Sequence, residues 1–373
     1  MEESFWLKIS YKLIVLSSNT LIYNLLKYFN MDKATKAKLL QAATNKLKKQ
    51  LGEDVILDLD KPVIIERIPT GSLVLDLFTG GGIAKGRITE LFGEPSSGKT
   101  SFAYSLCAQA QKQQPDKLVL YLDSEQAVSL DYMEEFGVKV DSDHLIFSQP
   151  DTIEESFTIL EEYVSTGLVS LVVLDSVGSS ITEAQKAKGY TENTMGSLAK
   201  KMSEGLNKLK SLLNETNTPL LAINTTYDKM SLYGGKETRG GSALKFNASQ
   251  RISITKRDLM SEDGSEDILG QVIKVKMIKS KISKPYIEAE TLLLFGKGFD
   301  EYTEIVDIAV EKGFINKGGA WFSFLASDGK TEIKLQGKFK VIDYFKNTEE
   351  DFQYYKKMVL DSMSNLNAEK EDS

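Results

Sequence analysis

Several nearly unbroken apolar runs lie along the middle of the chain, separated by segments long enough for helices. These runs are RITELFG (87–93), KLVLYLD (117–123), LVSLVVLD (168–175) and PLLAIN (219–224). Strands that are buried on both faces of a parallel sheet have this continuous apolar character. Polar residues stand at the end of each run, at the carboxyl edge where α/β folds bind their ligands. The pattern predicts an α/β core with a mostly parallel central sheet over residues 63–300.

The strand pattern continues and then changes towards the carboxyl terminus. Residues 251–295 contain further strand-like pieces, such as RISITKR, GQVIKVKMIKS and AETLLLFG. From residue 301 the chain instead predicts a helix, a hairpin around Asp328 and Gly329, and two more helical pieces. Residues 301–373 are therefore predicted to form a small α+β domain that ends in a polar tail.

Before the core, the chain divides into two stretches. Residues 31–62 begin with a predicted helix, because apolar side chains recur there at i, i+4 spacing with lysines on the other faces (Leu39, Ala43, Leu47 and Leu51). Residues 1–30 are apolar, but three lysines and a polar centre interrupt them, and they lack about 20 consecutive apolar residues for a membrane span. They are interpreted as a dispensable leader or an over-extended start.

Composition narrows the possible functions. The net charge of -7 means that any nucleic-acid site must be a local stripe of cations. Cys107 is the only cysteine, which excludes an intramolecular disulfide and favours a reducing cytoplasm; its apolar surroundings predict a buried helical position. His144 is the only histidine, so we expect neither a histidine–cysteine zinc site nor a Ser-His-Asp triad.

A phosphate-binding motif follows the first apolar run. Gly93 and the sequence Gly98-Lys99-Thr100 fit the P-loop spacing G-x-x-x-x-G-K-[ST]. Glycines let backbone N–H groups surround a polyphosphate, the lysine reaches its β and γ oxygens, and the threonine hydroxyl binds Mg²⁺. The predicted nucleotide-binding loop is Gly93, Glu94, Pro95, Ser96, Ser97, Gly98, Lys99, Thr100 and Ser101.

Acidic residues at two later strand ends complete the predicted catalytic site. Asp175, after LVSLVVL, matches a Walker B aspartate that holds Mg²⁺ through water. Glu125, after LVLYLDS, is the candidate base that positions the attacking water, and Asp123 is its rival for that role.

Taken together, these motifs resemble the bacterial RecA recombinase family. GEPSSGKTSF, YLDSEQAVSLDYMEEFGV, SQPDT, VVLDSV, GGSALKF and KSKISKP occur in the family's order and at close to its spacing. TGSLVLDLFTGGGIAKGRITELFG and GAWFSF belong to the same resemblance, which runs from about residue 31 to about 360. It implies a RecA-type P-loop ATPase core, with residues 31–62 as an N-terminal oligomerisation helix and strand.

The resemblance also implies roles for individual residues. Glu125 corresponds to the family's catalytic glutamate, and Tyr132 to the tyrosine that stacks on adenine. Lys279 and Lys281, in a segment that also brings Pro285 to the nucleotide, correspond to the pair that reaches the ATP site of a neighbouring subunit. Without the resemblance, Tyr132 would be interpreted as a core aromatic, and the two lysines would be interpreted as solvated side chains on one face of a strand.

Two polar segments are predicted to bind DNA, because they follow the strands that end in Asp175 and Asn224, as they do in the family. The first spans 183–196 and the second, which is rich in glycine, spans 227–241. Cations, backbone amides and an intercalating side chain can hold and stretch a single strand of any sequence. The candidates are Lys186, Lys188, Met195, Gly196, Lys229, Tyr233, Lys236, Arg239, Gly240 and Gly241.

One departure concerns the coupling of ATP to DNA, for which the resemblance points to Asn224, Thr225 and Phe246. The family usually has glutamine after the asparagine, where it senses the γ-phosphate, whereas this chain has Thr225. Threonine is shorter and does not span the same distance. The substitution fits a divergent member of the family, such as one carried by a phage.

The resemblance implies a DNA-dependent ATPase that uses ATP and Mg²⁺, forms head-to-tail filaments on single-stranded DNA, and exchanges strands with duplex DNA. Single-strand-binding and mediator proteins are the further partners that it implies. Two alternatives remain open at this point: a helicase-type motor or regulatory ATPase of the same fold, and a filament protein whose ATP is structural. A helicase is expected to carry an additional N-terminal domain and an arginine finger, whereas the candidate trans residues here are lysines.

Overall fold

The computed structural model describes residues 32–52, 56, 64–187, 196–228, 236–261 and 267–368. The chain divides into two compact units, residues 1–64 and 65–373. The leader predicted at residues 1–30 lies outside the described residues.

The first unit contains helix α1 (Lys33–Leu51), as the apolar spacing predicted. The carboxylate of Asp32 caps its start and accepts a hydrogen bond from the backbone N–H of Thr35 at 2.8 Å. Gly52 ends the helix. No side chain of α1 is buried, and its leucines are among the exposed apolar residues (Leu39, Leu40, Leu47 and Leu51).

A large sheet organises the second unit. The described strands of this unit are β1 (Arg67–Ile68), β2 (Ile83–Ala84), β3 (Ile88–Gly93), β4 (Leu118–Asp123), β5 (Leu145–Ser148), β6 (Val169–Asp175), β7 (Leu220–Asp228), β8 (Lys236–Thr238), β9 (Gln250–Ser261), β10 (Ile268–Ser280), β11 (Glu288–Leu294), β12 (Gly298–Phe299), β13 (Asn316–Gly318), β14 (Trp321–Leu325) and β15 (Glu332–Gln336). Within the described residues, ten strands form one sheet in the order β12-β11-β10-β9-β3-β7-β6-β4-β5, with β8 paired to β7.

The strand directions confirm the predicted α/β class. Strands β9, β3, β7, β6, β4 and β5 are parallel to one another, so their carboxyl ends meet at one edge. Strands β10, β11 and β12 extend the sheet in antiparallel pairs beyond β9. Strand β8 also pairs antiparallel with β7, so β8 runs back towards the carboxyl edge of the sheet.

Helices cover the sheet and complete the unit. They are α2 (Leu73–Thr79), α3 (Lys99–Gln113), α4 (Leu130–Glu135), α5 (Ile153–Ser165), α6 (Glu183–Ala187), α7 (Ser197–Glu215), α8 (Ala243–Asn247), α9 (Glu301–Glu311), α10 (Lys338–Asn347) and α11 (Glu349–Ala368). Across the part of the chain that the structure describes, none of the helices is both long enough and apolar enough to cross a membrane.

Two hydrophobic cores lie on opposite faces of the sheet, which explains the unbroken apolar runs. On β6, Leu171 and Val173 pack into the core that contains α3, whereas Val172 and Leu174 pack into the core that contains α5 and α7. A strand with two buried faces has no polar side to alternate with. The first core includes Cys107, which is buried in α3 as predicted.

The last helices and strands have a core of their own. Strands β13, β14 and β15 form an antiparallel sheet, and Phe324, Phe345 and Tyr355 pack together between it and the helices. The carboxylate of Glu304 in α9 is buried and accepts hydrogen bonds from the hydroxyls of Ser72 and Thr291. These contacts join α9 to the start of α2 and to β11.

Candidate nucleotide site

The phosphate-binding loop connects β3 to α3, and close packing requires its glycines. A Cβ atom at Gly93 would lie 2.2 Å from the carbonyl oxygen of Ile254 on β9. Gly98, at the start of α3, has φ +94°, and a Cβ there would lie 2.8 Å from Nε2 of Gln271. Only glycine combines this backbone angle with such close neighbours. The loop is therefore held in one shape by the sheet beneath it.

Two side-chain donors inside the loop, those of Lys99 and Ser97, fit a polyphosphate. The ammonium of Lys99 donates to the carbonyl oxygens of Glu94 (2.7 Å) and Gly93 (3.3 Å). Burial lowers the pKa of Lys99, although the nearby carboxylates of Asp175 and Glu125 oppose this shift. Among the described residues, the buried hydroxyl of Ser97 has no hydrogen-bond partner. Phosphate oxygens at the N-terminus of α3 would accept from both side chains.

The remaining loop residues differ in their surroundings. Pro95 and Ser96 line the cavity beside the loop, and Ser96 has φ +58°. Ser101 lies in the first turn of α3, where its carbonyl oxygen accepts from the hydroxyl of Ser105. The carboxylate of Glu94 forms an ion pair with Lys236, and each side chain is about half exposed (59% and 54%).

Two oxygen ligands suitable for a divalent cation lie beside the loop. The hydroxyl of Thr100 donates to Oδ2 of Asp175 at 3.0 Å, and the buried hydroxyl of Tyr121 donates to the same oxygen at 2.8 Å. Burial raises the pKa of Asp175 to about 6, while these two hydrogen bonds oppose the rise. A hydroxyl next to a desolvated carboxylate fits the hard oxygen ligands that Mg²⁺ prefers.

The two candidate bases have different surroundings. Oε1 of Glu125 accepts hydrogen bonds from the hydroxyls of Ser176 (2.7 Å) and Ser179 (2.9 Å), and the side chain is exposed to the cavity. Asp123 is fully buried. Its two oxygens accept from the backbone N–H groups of Glu125 (3.2 Å) and Val128 (3.1 Å) and from the Gln149 amide (3.0 Å).

One cavity of about 1110 Å³ brings the nucleotide loop and a predicted DNA segment together. Its lining includes Lys99, Thr100, Glu125 and Asp175 on one side and Thr225, Arg239, Gly240 and Gly241 on the other. Thr225 lies directly beside Gly93 in the parallel register of β3 and β7. Sequence positions more than a hundred residues apart therefore share one site.

A buried polar network connects these two sides. The Asn224 amide donates to Glu90 Oε1 on β3 (3.1 Å) and to the carbonyl oxygen of Arg239 (2.9 Å). Glu90 is also paired with Arg251 on β9. A buried network of this kind holds its side chains in one arrangement, because any movement that left a buried polar group without a partner would cost free energy. The start of the phosphate loop and the backbone of residue 239 are therefore held together.

The described DNA candidates occupy defined positions around the cavity. Lys186 in α6 is paired with Asp151 at 2.6 Å. Gly196 has φ +87° and begins α7. Gly240 and Gly241 also have positive φ, and Cβ atoms there would lie within 3 Å of Val177 and Ala199. Four candidates lie outside the described residues: Lys188, Met195, Lys229 and Tyr233.

The residues expected to bind adenine or to act on a neighbouring subunit do not line this cavity. Tyr132 is partly buried in edge-to-face contacts with Tyr104 and Phe136. Lys279 donates to the carbonyl oxygens of Lys245 (2.6 Å) and Phe246 (3.1 Å), and Lys281 also donates to Phe246. Phe246 is 73% exposed. Pro285 follows on the same segment, between β10 and β11.

Three functional candidates were not identified from the sequence. Tyr121 lies inside an apolar run, where nothing distinguishes it from a core aromatic, yet its hydroxyl contacts Asp175. Ser176 and Ser179 follow Asp175 in DSVGSS and hold Glu125. The cluster of serines directly after a strand-end aspartate is the one signal that could have indicated them.

A mostly parallel sheet, a glycine loop between β3 and α3, and an aspartate at the end of β6, which β7 separates from β3, define a P-loop nucleotide-binding protein. Residues 38–300 match the family model of the RecA N-terminal domain. Proteins named "Protein RecA" match over most of the chain. The Ruminococcus albus protein is 37% identical over 298 residues (79% of this chain, 73% of the relative).

Two further relatives are covered almost completely. The Thermus aquaticus protein is 37% identical over 331 residues (87% of this chain, 94% of the relative), and the Nautilia profundicola protein is 37% identical over 336 residues (88% and 93%). The chain therefore belongs to the RecA family. This membership confirms the resemblance in the motifs and supports a function in homologous recombination and DNA repair, in preference to a helicase-type motor.

Proposed function

We propose that this protein is a DNA-dependent ATPase that forms filaments on single-stranded DNA and promotes homologous pairing and strand exchange with duplex DNA. The observation that carries the proposal is the shared cavity, where Lys99 and Thr100 lie across from Gly240 and Gly241. Family membership supports the same function. Such an arrangement lets occupancy of the nucleotide site and of the DNA segment influence each other directly.

In this proposal each catalytic side chain has a defined task. Lys99 leaves the carbonyl oxygens of its own loop and binds the terminal phosphates, which neutralises charge that develops during transfer. Thr100 and Asp175 would hold Mg²⁺, which supplies electrostatic stabilisation of the phosphate oxygens when bound. Tyr121 keeps the Asp175 carboxylate oriented in a buried position.

We assign the base to Glu125 and a positioning role to Asp123. Glu125 reaches the cavity and keeps one carboxylate oxygen, Oε2, outside its hydrogen bonds with the two serines, so this oxygen can accept a proton from water. Both oxygens of Asp123 are already occupied within the turn that carries Glu125. A fully buried and saturated carboxylate is poorly placed to meet substrate.

The DNA interface is proposed for the two segments predicted from the sequence, including their members outside the described residues. Lys236 lies within the second segment, at the start of β8, and is paired with Glu94, and Lys186 is paired with Asp151. Exposed ion pairs of this kind are weak. DNA phosphates can therefore compete for both lysines at modest cost.

Filament formation is proposed to use surfaces that are exposed in the single chain. Lys279, Lys281 and the exposed ring of Phe246 form one patch, which we assign to the ATP site of the next subunit. The exposed leucines of α1 supply an apolar face for a second contact. A head-to-tail contact of this kind produces an open helix. Mediator and single-strand-binding proteins, and a cytoplasmic location, complete the proposal.

A mixing experiment tests the shared site. Glu125→Gln and the double variant Lys279→Ala/Lys281→Ala should each be nearly inactive alone. Mixed equally, about a quarter of junctions would join an intact glutamate face to an intact lysine face, so the mixture should exceed both parents. Co-sedimentation on single-stranded DNA must confirm that both assemble. Co-assembly without recovered ATP hydrolysis would place the complete site within one subunit.

The function itself is tested by ATP hydrolysis with and without oligo(dT), together with electron microscopy of the same samples. We expect DNA-stimulated hydrolysis and helical filaments that require ATP and Mg²⁺. Lys99→Ala is the matched negative control, since it removes the phosphate-binding cation. A rate of ATP hydrolysis that is the same with and without oligo(dT), together with the absence of filaments, would instead support the regulatory-ATPase alternative.

A further inference from the structure

Arg239 combines a fixed backbone with an exposed side chain. Its carbonyl oxygen accepts from the buried Asn224 amide at 2.9 Å, and the next two residues, Gly240 and Gly241, pack against Val177 and Ala199. The side chain is exposed and lines the cavity of the phosphate loop. The position of this arginine is therefore set by the sheet.

The Arg239 side chain lies close to the turn whose serine holds the catalytic glutamate. Cδ of Arg239 lies 3.4 Å from the position that a Cβ would take at Gly178. That same position is 3.7 Å from the hydroxyl of Ser176, which donates to Glu125. The Arg239 side chain thus lies beside the turn that follows Asp175, and Gly178 leaves room for it.

Its charge is available to a ligand. Lys99, Lys186 and Lys236 each have a carbonyl or carboxylate partner. For the guanidinium of Arg239, the described ranges contain neither a hydrogen-bond acceptor nor an ion-pair partner. A planar guanidinium matches phosphate oxygens in a two-point contact.

We propose that Arg239 binds the terminal phosphate of ATP within its own subunit and reports the presence of that phosphate to the DNA segment that precedes β8. This inference rests on the proposed function. For this residue we depart from the DNA role expected from the sequence and assign the nucleotide as its ligand, because the side chain shares its cavity with Lys99, Thr100 and Glu125. The assignment also suits the short side chain of Thr225. In this proposal the longer side chain of Arg239 reaches the nucleotide where Thr225 does not.

The connection to DNA follows from chain continuity. Arg239 directly follows β8, and residues 229–235, predicted to bind DNA, connect β7 to β8. A contact between the guanidinium and the γ-phosphate would hold the end of β8 against the nucleotide. Loss of that phosphate on hydrolysis removes the contact, so the two ligands should each strengthen the binding of the other.

The test compares nucleotides in the absence of DNA. Binding of AMP-PNP and of ADP, each with Mg²⁺, is measured by calorimetry for the wild type, Arg239→Ala and Arg239→Lys. Arg257→Ala, which removes an exposed arginine from β9, is the matched control. Arg239→Ala should weaken AMP-PNP binding about tenfold, equivalent to about 1.4 kcal/mol, and leave ADP binding unchanged. Arg239→Lys should recover part of the loss, and Arg257→Ala should match the wild type.

Other outcomes would overturn the inference. An unchanged ratio of AMP-PNP to ADP affinity, with weaker oligo(dT) binding in the absence of nucleotide, would assign Arg239 to DNA. An equal loss for both nucleotides would indicate a structural role, which melting temperatures would confirm. These titrations do not depend on DNA-stimulated hydrolysis in the wild type, so failure of the proposed function is recognised separately.

Discussion

The assignment of Glu125 and Asp123 leads to opposite expectations for two conservative changes. Glu125→Gln removes the group that accepts a proton from the attacking water and keeps the shape of the side chain. Hydrolysis should slow by about 10²-fold or more, which is the usual contribution of a positioned base. ATP binding should remain, because Lys99 and Thr100 are untouched.

Asp123→Asn should have a much smaller effect on the rate. The amide keeps one acceptor oxygen, so at least one of the three hydrogen bonds to Asp123 is lost, at a cost of about 1–3 kcal/mol in folding stability. Glu125 stays hydrogen-bonded to Ser176 and Ser179 at 2.7 and 2.9 Å. The turn that carries Glu125 thus loses hydrogen bonds to Asp123 but keeps those to the two serines. We therefore expect kcat to fall no more than about tenfold, which corresponds to about 1.4 kcal/mol in activation free energy.

Initial rates of ATP hydrolysis on saturating oligo(dT), together with melting temperatures, distinguish these outcomes. Glu134→Gln makes the same chemical change on an exposed position of α4 and should behave as the wild type. If Asp123→Asn is as inactive as Glu125→Gln while it still melts normally and binds ATP, the reasoning is wrong. Asp123 would then be the base, and the hydrogen bonds seen here would have to open before catalysis.

Three further predictions follow from particular contacts. Lys236→Glu should weaken single-stranded DNA binding, and adding Glu94→Lys should restore their ion pair but not the DNA affinity; recovery of DNA affinity by the swap would mean that Lys236 acts through Glu94 alone. Tyr121→Phe should weaken Mg²⁺-dependent ATP binding severalfold, since it removes a donor to the metal-site carboxylate, whereas Tyr104→Phe on the neighbouring ring should not; equal effects would make the hydroxyl contact irrelevant. Burial raises the pKa of Glu304, so the folded state binds more protons than the unfolded state and stability should fall as pH rises from about 4.5 through that raised pKa. Glu304→Gln lacks this dependence and should lose less in melting temperature over the same interval, and parallel curves would contradict the assignment.

The sequence by itself determined the parts that depend on neighbouring residues. The glycines, lysine and threonine of the phosphate loop act within one turn of chain, so their spacing alone predicted a loop between β3 and α3. The unbroken apolar runs predicted β4, β6 and β7 as strands of a parallel sheet, because such strands have no solvent face. The helix at Lys33–Leu51 likewise followed from its period.

Only the tertiary structure decided which side chains meet. Glu94 and Lys236 are separated by 142 positions, and nothing in either local pattern indicates that they pair. The local pattern left Asp123 as a rival to Glu125 for the role of base, whereas burial and three hydrogen bonds distinguish the surroundings of Asp123 in the folded chain. In the sequence, Arg239 is similarly one cation of a polar segment. In the folded chain, the pairing of β8 with β7 places it in the cavity of the phosphate loop. The physical reason is that periodicity reports only whether a side chain is buried, while the partner of a polar group is set by the order and register of strands that lie far apart in the chain.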